Sequence, residues 1–260
     1  MQKYIEFNRG TYTLRGMAYI PEGASAKHKV PLTVICHGFT ANRNETLFIH
    51  TRLARRLCDE GIAAICFDFM DSGESDGAFE EMSVLTEVAD VFALLEYVRT
   101  LEYADLSRVA LHGMSQGGLV SCLAAAAVPD QIQALSLWAP ALCIPDMAHG
   151  SEMLGVSLDN IEENGYIDFR GTKLGRIYVE DAKTVNVWEA MKKYAGPVQI
   201  VHGTSDMSVD FSYSVRLQEL LGGQCVLHPV EGADHDFATL SYNQQRLDYA
   251  VEFLKKNLCG

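Results

Sequence analysis

A serine set between two glycines, with an acid and a histidine further along the chain, is the residue set that could do chemistry here. Gly113-Met114-Ser115-Gln116-Gly117 has the spacing G-x-S-x-G, follows the apolar run Arg108-Val109-Ala110-Leu111-His112 and leads into an apolar helical segment. A strand, a sharp turn and a helix are the context that lifts a serine hydroxyl out of the backbone as a nucleophile. The flanking glycines leave room for the turn, which side chains would block. The plainer alternative is a glycine-rich helix start with Ser115 as its N-cap.

A serine hydroxyl needs a base to take its proton, and the base needs an acid to orient it. The run Val198 to His202 reads as a buried strand, and after a tight turn it delivers Asp206. A later strand, 225–230, is followed by Glu231-Gly232-Ala233-Asp234-His235-Asp236, which puts His235 in the last loop before a C-terminal helix. All three residues then lie at carboxyl ends of strands, on one edge of a sheet. Asp210, Asp234 and Asp236 are rival acids; Asp206 is preferred because it follows its strand directly. A tetrahedral intermediate also needs backbone N–H donors. Strand 32–36 ends in Cys36-His37-Gly38-Phe39-Thr40, so the expected donors are the N–H of Phe39 and the N–H of Gln116. For the His37 side chain a loop-bracing role is favoured over substrate contact.

Of the eight histidines, only His235 is both late and loop-borne. His28 and His50 read as solvated, His149 has no evident partner, and His202 and His228 read as core or near-core residues. His112 is expected to pack beneath the serine. No pair has HxH or HxxxH spacing, so neither a metal nor another cofactor is expected.

The elements that must position these residues follow from periodicity. Strands at 3–7 and 11–20, separated by Asn8-Arg9-Gly10, read as a hairpin. Short runs rich in Val, Ile and Leu at 32–36, 62–67, 108–112, 132–138, 198–202 and 225–230 read as strands buried on both faces of a parallel sheet. Helical spacing appears at 45–60, 81–101, 116–127, 211–221 and 241–257; in the second, Val84, Leu85, Val88, Val91, Phe92, Leu95 and Val98 form one stripe. The pattern implies a single α/β domain over 1–260, with a mostly parallel, doubly wound sheet and its ligand at the carboxyl ends of the strands. Residues 139–196 form a connection far longer than the roughly 2–6 residues usual between such elements. They read as an inserted cap over that edge, built of a short hairpin (Tyr166 to Phe169, then Arg176 to Glu180) and a helix or two.

Composition narrows the partners. The net charge of −13 disfavours nucleic acid and anionic lipid surfaces. No apolar run is long enough to span a bilayer, and the N-terminus lacks the apolar core of a signal peptide. Seven cysteines without CxxC spacing read as reduced thiols in a cytoplasmic protein.

Taken in order, His37-Gly38, the turn Asp68…Gly73-x-Ser75, Gly113-x-Ser115-x-Gly117, Asp206 and His235 resemble the α/β-hydrolase superfamily along the whole chain. His37-Gly38-Phe39-Thr40, Ser115-Gln116-Gly117-Gly118, Ala139-Pro140-Ala141 and Glu231-Gly232-Ala233-Asp234-His235 further resemble bacterial cinnamoyl (feruloyl) esterases. That resemblance implies a serine carboxylesterase that forms an acyl-enzyme on Ser115 and acts on a small-molecule aryl ester of the ferulate, coumarate or caffeate type. It also implies a cap in which an acidic residue and a tyrosine hold the phenolic hydroxyl; the matching positions are Asp146 and Tyr178. Their alternatives are a helix cap for Asp146 and a cap-core aromatic for Tyr178. Two departures bear on the acyl group: Asp71 stands where such proteins have glycine, and Met147 to Leu154 lacks an expected glutamine. Other readings of the same residues are a short-chain acyl esterase, an acylglycerol lipase, a peptidase, or a non-catalytic ligand receptor on the same fold. No membrane or nucleic-acid partner is expected, and a homodimer is compatible with the sequence, which leaves oligomeric state open.

Overall fold

The computed structural model describes residues Met1 to Gly260. The N-terminal hairpin forms as β1 (Gln2–Arg9) and β2 (Tyr12–Tyr19), paired antiparallel from Gln2↔Tyr19 to Arg9↔Tyr12. The sheet continues through β3 (Val30–Cys36), β4 (Ala63–Phe67), β5 (Ala104–Met114) and β6 (Ala134–Trp138). After the inserted segment described below, β11 (Val198–Gly203) and β12 (Cys225–Val230) complete it. The order is β1-β2-β4-β3-β5-β6-β11-β12, antiparallel as far as β4 and parallel beyond it. This is the expected α/β architecture. Every residue of β3, β4, β6 and β11 is buried, as apolar strands covered by helices on both faces should be. β12 departs from that expectation: as the last strand it has one open edge, and Val226 is 48% exposed.

The crossovers are α1 (Ile49–Asp59), α2 (Val84–Val98), α3 (Gln116–Ala127), α8 (Ser212–Leu221) and α9 (Leu240–Cys259). α2 starts at Ser83, whose hydroxyl accepts from Thr86 N–H while Thr86 reaches back, a capping box. Its buried stripe differs from the sequence reading: Leu85 is exposed, Phe92 is only half-buried, and Leu94 is buried instead. The same helix also buries two carboxylates, Glu87 and Asp90. His50, expected in solvent, lies wholly buried on α1, where its ring meets His112 and Trp138. The amphipathic register of α1 turns it inward, which a single histidine among arginines does not announce.

The inserted segment holds α4 (Ile144–Ala148), the pair β7 (Glu152–Met153) and β8 (Val156–Ser157), α5 (Ile161–Asn164), β9 (Tyr166–Phe169), β10 (Thr172–Gly175), α6 (Arg176–Thr184) and α7 (Val187–Met191). The hairpin partner of Tyr166–Phe169 is thus Thr172–Gly175, and Arg176 to Glu180 is helical rather than extended. The reason is local. Gly171 at φ 87° closes the turn early, and a Cβ on Gly175 would lie 1.9 Å from the Glu80 carbonyl oxygen, so the strand ends pressed against the core. One cluster of 54 buried apolar residues joins Ile167, Leu174 and Tyr178 of this segment to Leu119 and Val120 of α3, so the segment packs as part of the core. No helix is long and apolar enough to cross a membrane.

Candidate functional site

The turn between β5 and α3 carries Ser115 at φ 54° and ψ −120°, a conformation that few L-residues tolerate. Close packing imposes it. A Cβ on Gly113 would fall 2.2 Å from the Gly117 carbonyl oxygen, and one on Gly117 would fall 2.3 Å from that of Cys36. The turn is tied down from β6, where the Trp138 carbonyl accepts from Ser115 N–H at 3.0 Å. Ser115 occupies the N-cap position of α3, yet its side chain makes no capping hydrogen bond. The hydroxyl is therefore left free beside a cavity.

Asp206 follows β11 and is 8% exposed. Its Oδ1 accepts from the N–H groups of Ser208 (2.8 Å) and Val209 (2.9 Å). Its Oδ2 accepts from His235 Nδ1 at 2.6 Å and His202 Nε2 at 3.1 Å. Burial alone would raise the carboxyl group's proton affinity, but the hydrogen bonds from His202 and His235 outweigh it and hold Asp206 well below the usual carboxylate range. His235 spends its Nδ1–H on Asp206, which leaves Nε2 as the lone-pair nitrogen. The rival acids are otherwise engaged: Asp210 accepts from Ser212 N–H and Asp234 from Ala238 N–H, while Asp236 lines the cavity without an orienting partner.

His202 is the functional neighbour that sequence reasoning missed. Its Nε2 faces both Asp206 Oδ2 and the Val209 carbonyl (3.1 Å), and its Nδ1 meets Ser214 Oγ at 2.7 Å. A nitrogen facing two acceptors must carry the proton, so Nδ1 accepts from the Ser214 hydroxyl. The signal was the four-residue spacing of His202 and Asp206 across a tight turn, which brings the two side chains back together.

The loop after β3 faces Ser115 from the other side; a Cβ on Gly38 would sit 3.3 Å from Ser115 Cβ. His37 braces this loop, as its residue type suggested: Nδ1 donates to the Gly38 carbonyl (2.8 Å) and Nε2 accepts from Phe69 N–H (3.2 Å). Burial holds the ring neutral by lowering its proton affinity. Gly38 N–H donates to Glu45 Oε2 at 2.7 Å, and Arg43 anchors the loop to the buried carboxylate of Asp68. The N–H groups of Phe39 and Gln116 donate to no protein acceptor.

Ser115, Gln116, Phe39 and His235 line one cavity of about 680 Å³. Phe39, Ile144, Met147, Leu154, Phe169 and Val209 form its apolar part, while Glu45, Arg170 and Asp236 supply charge. The two cap residues named from the resemblance are not on its wall. Asp146 is exposed and accepts from Tyr213 OH at 2.8 Å, beside a separate depression with His149 and Lys183. Tyr178 is wholly buried and donates to Gln116 Oε1 at 2.5 Å. The helix that replaced the expected strand turns Tyr178 down onto α3. A half-buried serine hydroxyl free of protein partners, an imidazole oriented by a buried carboxylate and two free N–H groups around one cavity are the parts that acyl transfer requires.

Residues 27–172 match the family model described as serine aminopeptidase, S33. Among solved structures, that of Est1E from Butyrivibrio proteoclasticus with ferulic acid bound superposes with a TM-score of 0.90; it is 29% identical and covers 98% of this chain and 100% of that one. An uncharacterized 31.7 kDa protein of Escherichia coli is 34% identical over 99 residues, 38% of this chain and 32% of that protein. The acylamino-acid-releasing enzyme of Sus scrofa is 25% identical over 219 residues, 77% of this chain and 27% of that enzyme. The matched segments thus span about a third of the curated relatives or less. The fold and the family together make this an α/β-hydrolase that resembles cinnamoyl esterases.

Proposed function

From the premise that the chain belongs to the serine aminopeptidase S33 family, we propose that it is a serine carboxylesterase acting on hydroxycinnamate esters. The observation that carries this reading is the free Ser115 hydroxyl, on a strained turn, facing the same cavity as a His235 fixed by Asp206 at 2.6 Å. In this mechanism Ser115 Oγ attacks the ester carbonyl while His235 Nε2 takes its proton. Asp206 holds the Nδ1–H tautomer and stabilises the imidazolium. The N–H groups of Phe39 and Gln116 receive the developing oxyanion. His235 then protonates the departing alkoxide, and water, activated by the same imidazole, releases the acid from Ser115.

The acyl class rests on two supports. The cavity's wall is aromatic and aliphatic around Phe39, Phe169 and Ile144, which suits a planar aryl acyl group. The Est1E structure, similar over 98% of this chain, was solved with ferulic acid. An aminopeptidase reading is favoured by Glu45 and Asp236 on the cavity wall, where a substrate ammonium could pair with a carboxylate. It is the weaker of the two, because both Glu45 oxygens already accept backbone N–H groups, from Gly38 and Thr46.

The test compares kcat/KM for methyl ferulate, 4-nitrophenyl butyrate and alanine 4-nitroanilide, with Ser115→Ala as the blank. A ferulate preference that vanishes in the blank is the expected result. Butyrate cleavage without ferulate turnover would retain the nucleophile and reject the hydroxycinnamate class, and anilide cleavage would select the peptidase reading.

A further inference from the structure

The Gln116 side chain does more than pass beneath the serine. It is wholly buried, and each end of its amide has one strong partner from a different part of the fold. Tyr178 OH, on α6 of the inserted segment, donates to Oε1 at 2.5 Å. Nε2 donates to Glu87 Oε2, on α2 of the core, at 2.8 Å. Tyr178 is 0% and Glu87 3% exposed, so neither partner can be replaced by bulk water. A donor at one end and an acceptor at the other leave the amide a single orientation.

We propose that this Tyr178–Gln116–Glu87 relay fixes the Gln116 backbone N–H in the place where it meets the oxyanion, which makes Tyr178 and Glu87 positioning residues for the reaction. The proposal rests on the esterase reading above. The physical need for such a clamp is the strain at Ser115: a residue at φ 54° keeps that conformation only if its neighbours over-determine it. Gln116 is the next residue; the carbonyl of the peptide between them already accepts from the N–H groups of Ala141 (2.8 Å), Gly118 (2.9 Å) and Leu119 (3.3 Å), and the Gln116 side chain adds a hold on its N–H side from the core and the inserted segment together. A second tie lies alongside, where the Ser83 hydroxyl at the N-cap of α2 donates to Asp181 of α6. Moving α6 away from the core would therefore break the relay and loosen the oxyanion site, so the inserted segment reports its position to the chemistry through Tyr178.

Glu87 suits the task because it need not be charged. Burial pushes its proton affinity well above the carboxylate range, against the opposing pull of the Gln116 hydrogen bond, and the nearby Asp90 and Asp71 add to the rise. A neutral carboxyl group still presents an acceptor oxygen to Gln116, which a glutamine at position 87 would also do.

The experiment measures kcat and KM for methyl ferulate, methyl cinnamate (which lacks the ring hydroxyl) and 4-nitrophenyl butyrate in Tyr178→Phe, Glu87→Ala, Glu87→Gln and the double variant Tyr178→Phe/Glu87→Ala. Removing an oxyanion donor outright costs on the order of 100-fold in kcat, so loosening one is expected to cost about tenfold. Tyr178→Phe and Glu87→Ala should each lose this much kcat on all three esters with KM nearly unchanged. Glu87→Gln should stay near wild type, and the double variant should lose little beyond the worse single one. A Tyr178→Phe effect confined to KM for ferulate would overturn the proposal, since the tyrosine would then touch the substrate phenol. Wild-type rates in Glu87→Ala, or losses that multiply in the double variant, would overturn it as well. If Glu87→Ala does not fold, Tyr178→Phe and Glu87→Gln decide alone. A wild-type chain inert to all three esters would sink the esterase reading first, an outcome distinct from any of these.

Discussion

Replacing Asp206 by asparagine tests the proposed base most sharply, because the surroundings dictate how the new amide must sit. At the Oδ1 position two backbone N–H groups, from Ser208 and Val209, point inward at 2.8 and 2.9 Å. Only an oxygen can face them, so the asparagine NH2 must take the Oδ2 position. There it meets His235 Nδ1 and His202 Nε2, both donors in the wild-type arrangement. Two donors cannot face an NH2, so each histidine must move its proton to the other nitrogen. For His202 the change is absorbed in part, since its Nδ1–H can then donate to Ser214 Oγ while its bare Nε2 is left facing the Val209 carbonyl. For His235 it is not, because the proton then sits on Nε2, where the Ser115 proton has to go. The fold should survive and the rate should not. The expected loss is about 1,000- to 10,000-fold in kcat, equivalent to roughly 4–5.5 kcal/mol of barrier. Steady-state kinetics on 4-nitrophenyl butyrate, with a thermal melt to establish folding, would measure it. A folded Asp206→Asn variant that keeps a tenth of the wild-type kcat would refute the reasoning, and the orienting acid would have to be sought elsewhere.

Two further substitutions probe buried charge. Both oxygens of Asp71 are buried without a hydrogen bond of good geometry, and burial, reinforced by the charge of Asp90 and only partly offset by the neighbouring Ser72, pushes its proton affinity up to about 7. From about pH 4, where an unfolded aspartate ionises, up to about 7 the folded chain binds the extra proton, so stability falls as pH rises through that window and is level above it. Discounted for its remaining exposure, Asp71→Asn should add about 1–2 kcal/mol at pH 8 and little at pH 4; melts at the two pH values check it, and an equal effect at both would contradict the sign. Arg43→Met strips the guanidinium from the wholly buried Asp68 carboxylate and should cost about 3–5 kcal/mol. That corresponds to a fall in Tm of roughly 6–20 °C. Adding Asp68→Asn should recover part of it, and a single variant that melts with the wild type would refute the buried-pair argument.

Most of the frame was legible because the signals are local. Buried parallel strands must be apolar along their whole length, so β3, β4, β6 and β11 announced themselves, and the strand–Gly–x–Ser–x–Gly–helix order needs only neighbours in the chain. Asp206 and His235 could be named because the ends of successive parallel strands share one edge. The misreadings came where the deciding contact is remote. Arg176 to Glu180 reads as a hairpin strand, and only the approach of Gly175 to the Glu80 carbonyl ends the strand before it and leaves it helical. His50 looks solvated until the packing of α1 turns it inward.

What the sequence determined by itself was the elements of the core sheet and its crossover helices and the residues at their ends, because strand burial, turn chemistry and helix starts are properties of short segments. What only the tertiary structure decided was which side chains meet across those ends. His202 became a partner of Asp206, and Tyr178 a partner of Gln116 rather than a wall of the cavity. Such pairings depend on the angle at which one element crosses another, and a shift of a few ångströms in that crossing, invisible in any local pattern, makes or breaks a hydrogen bond.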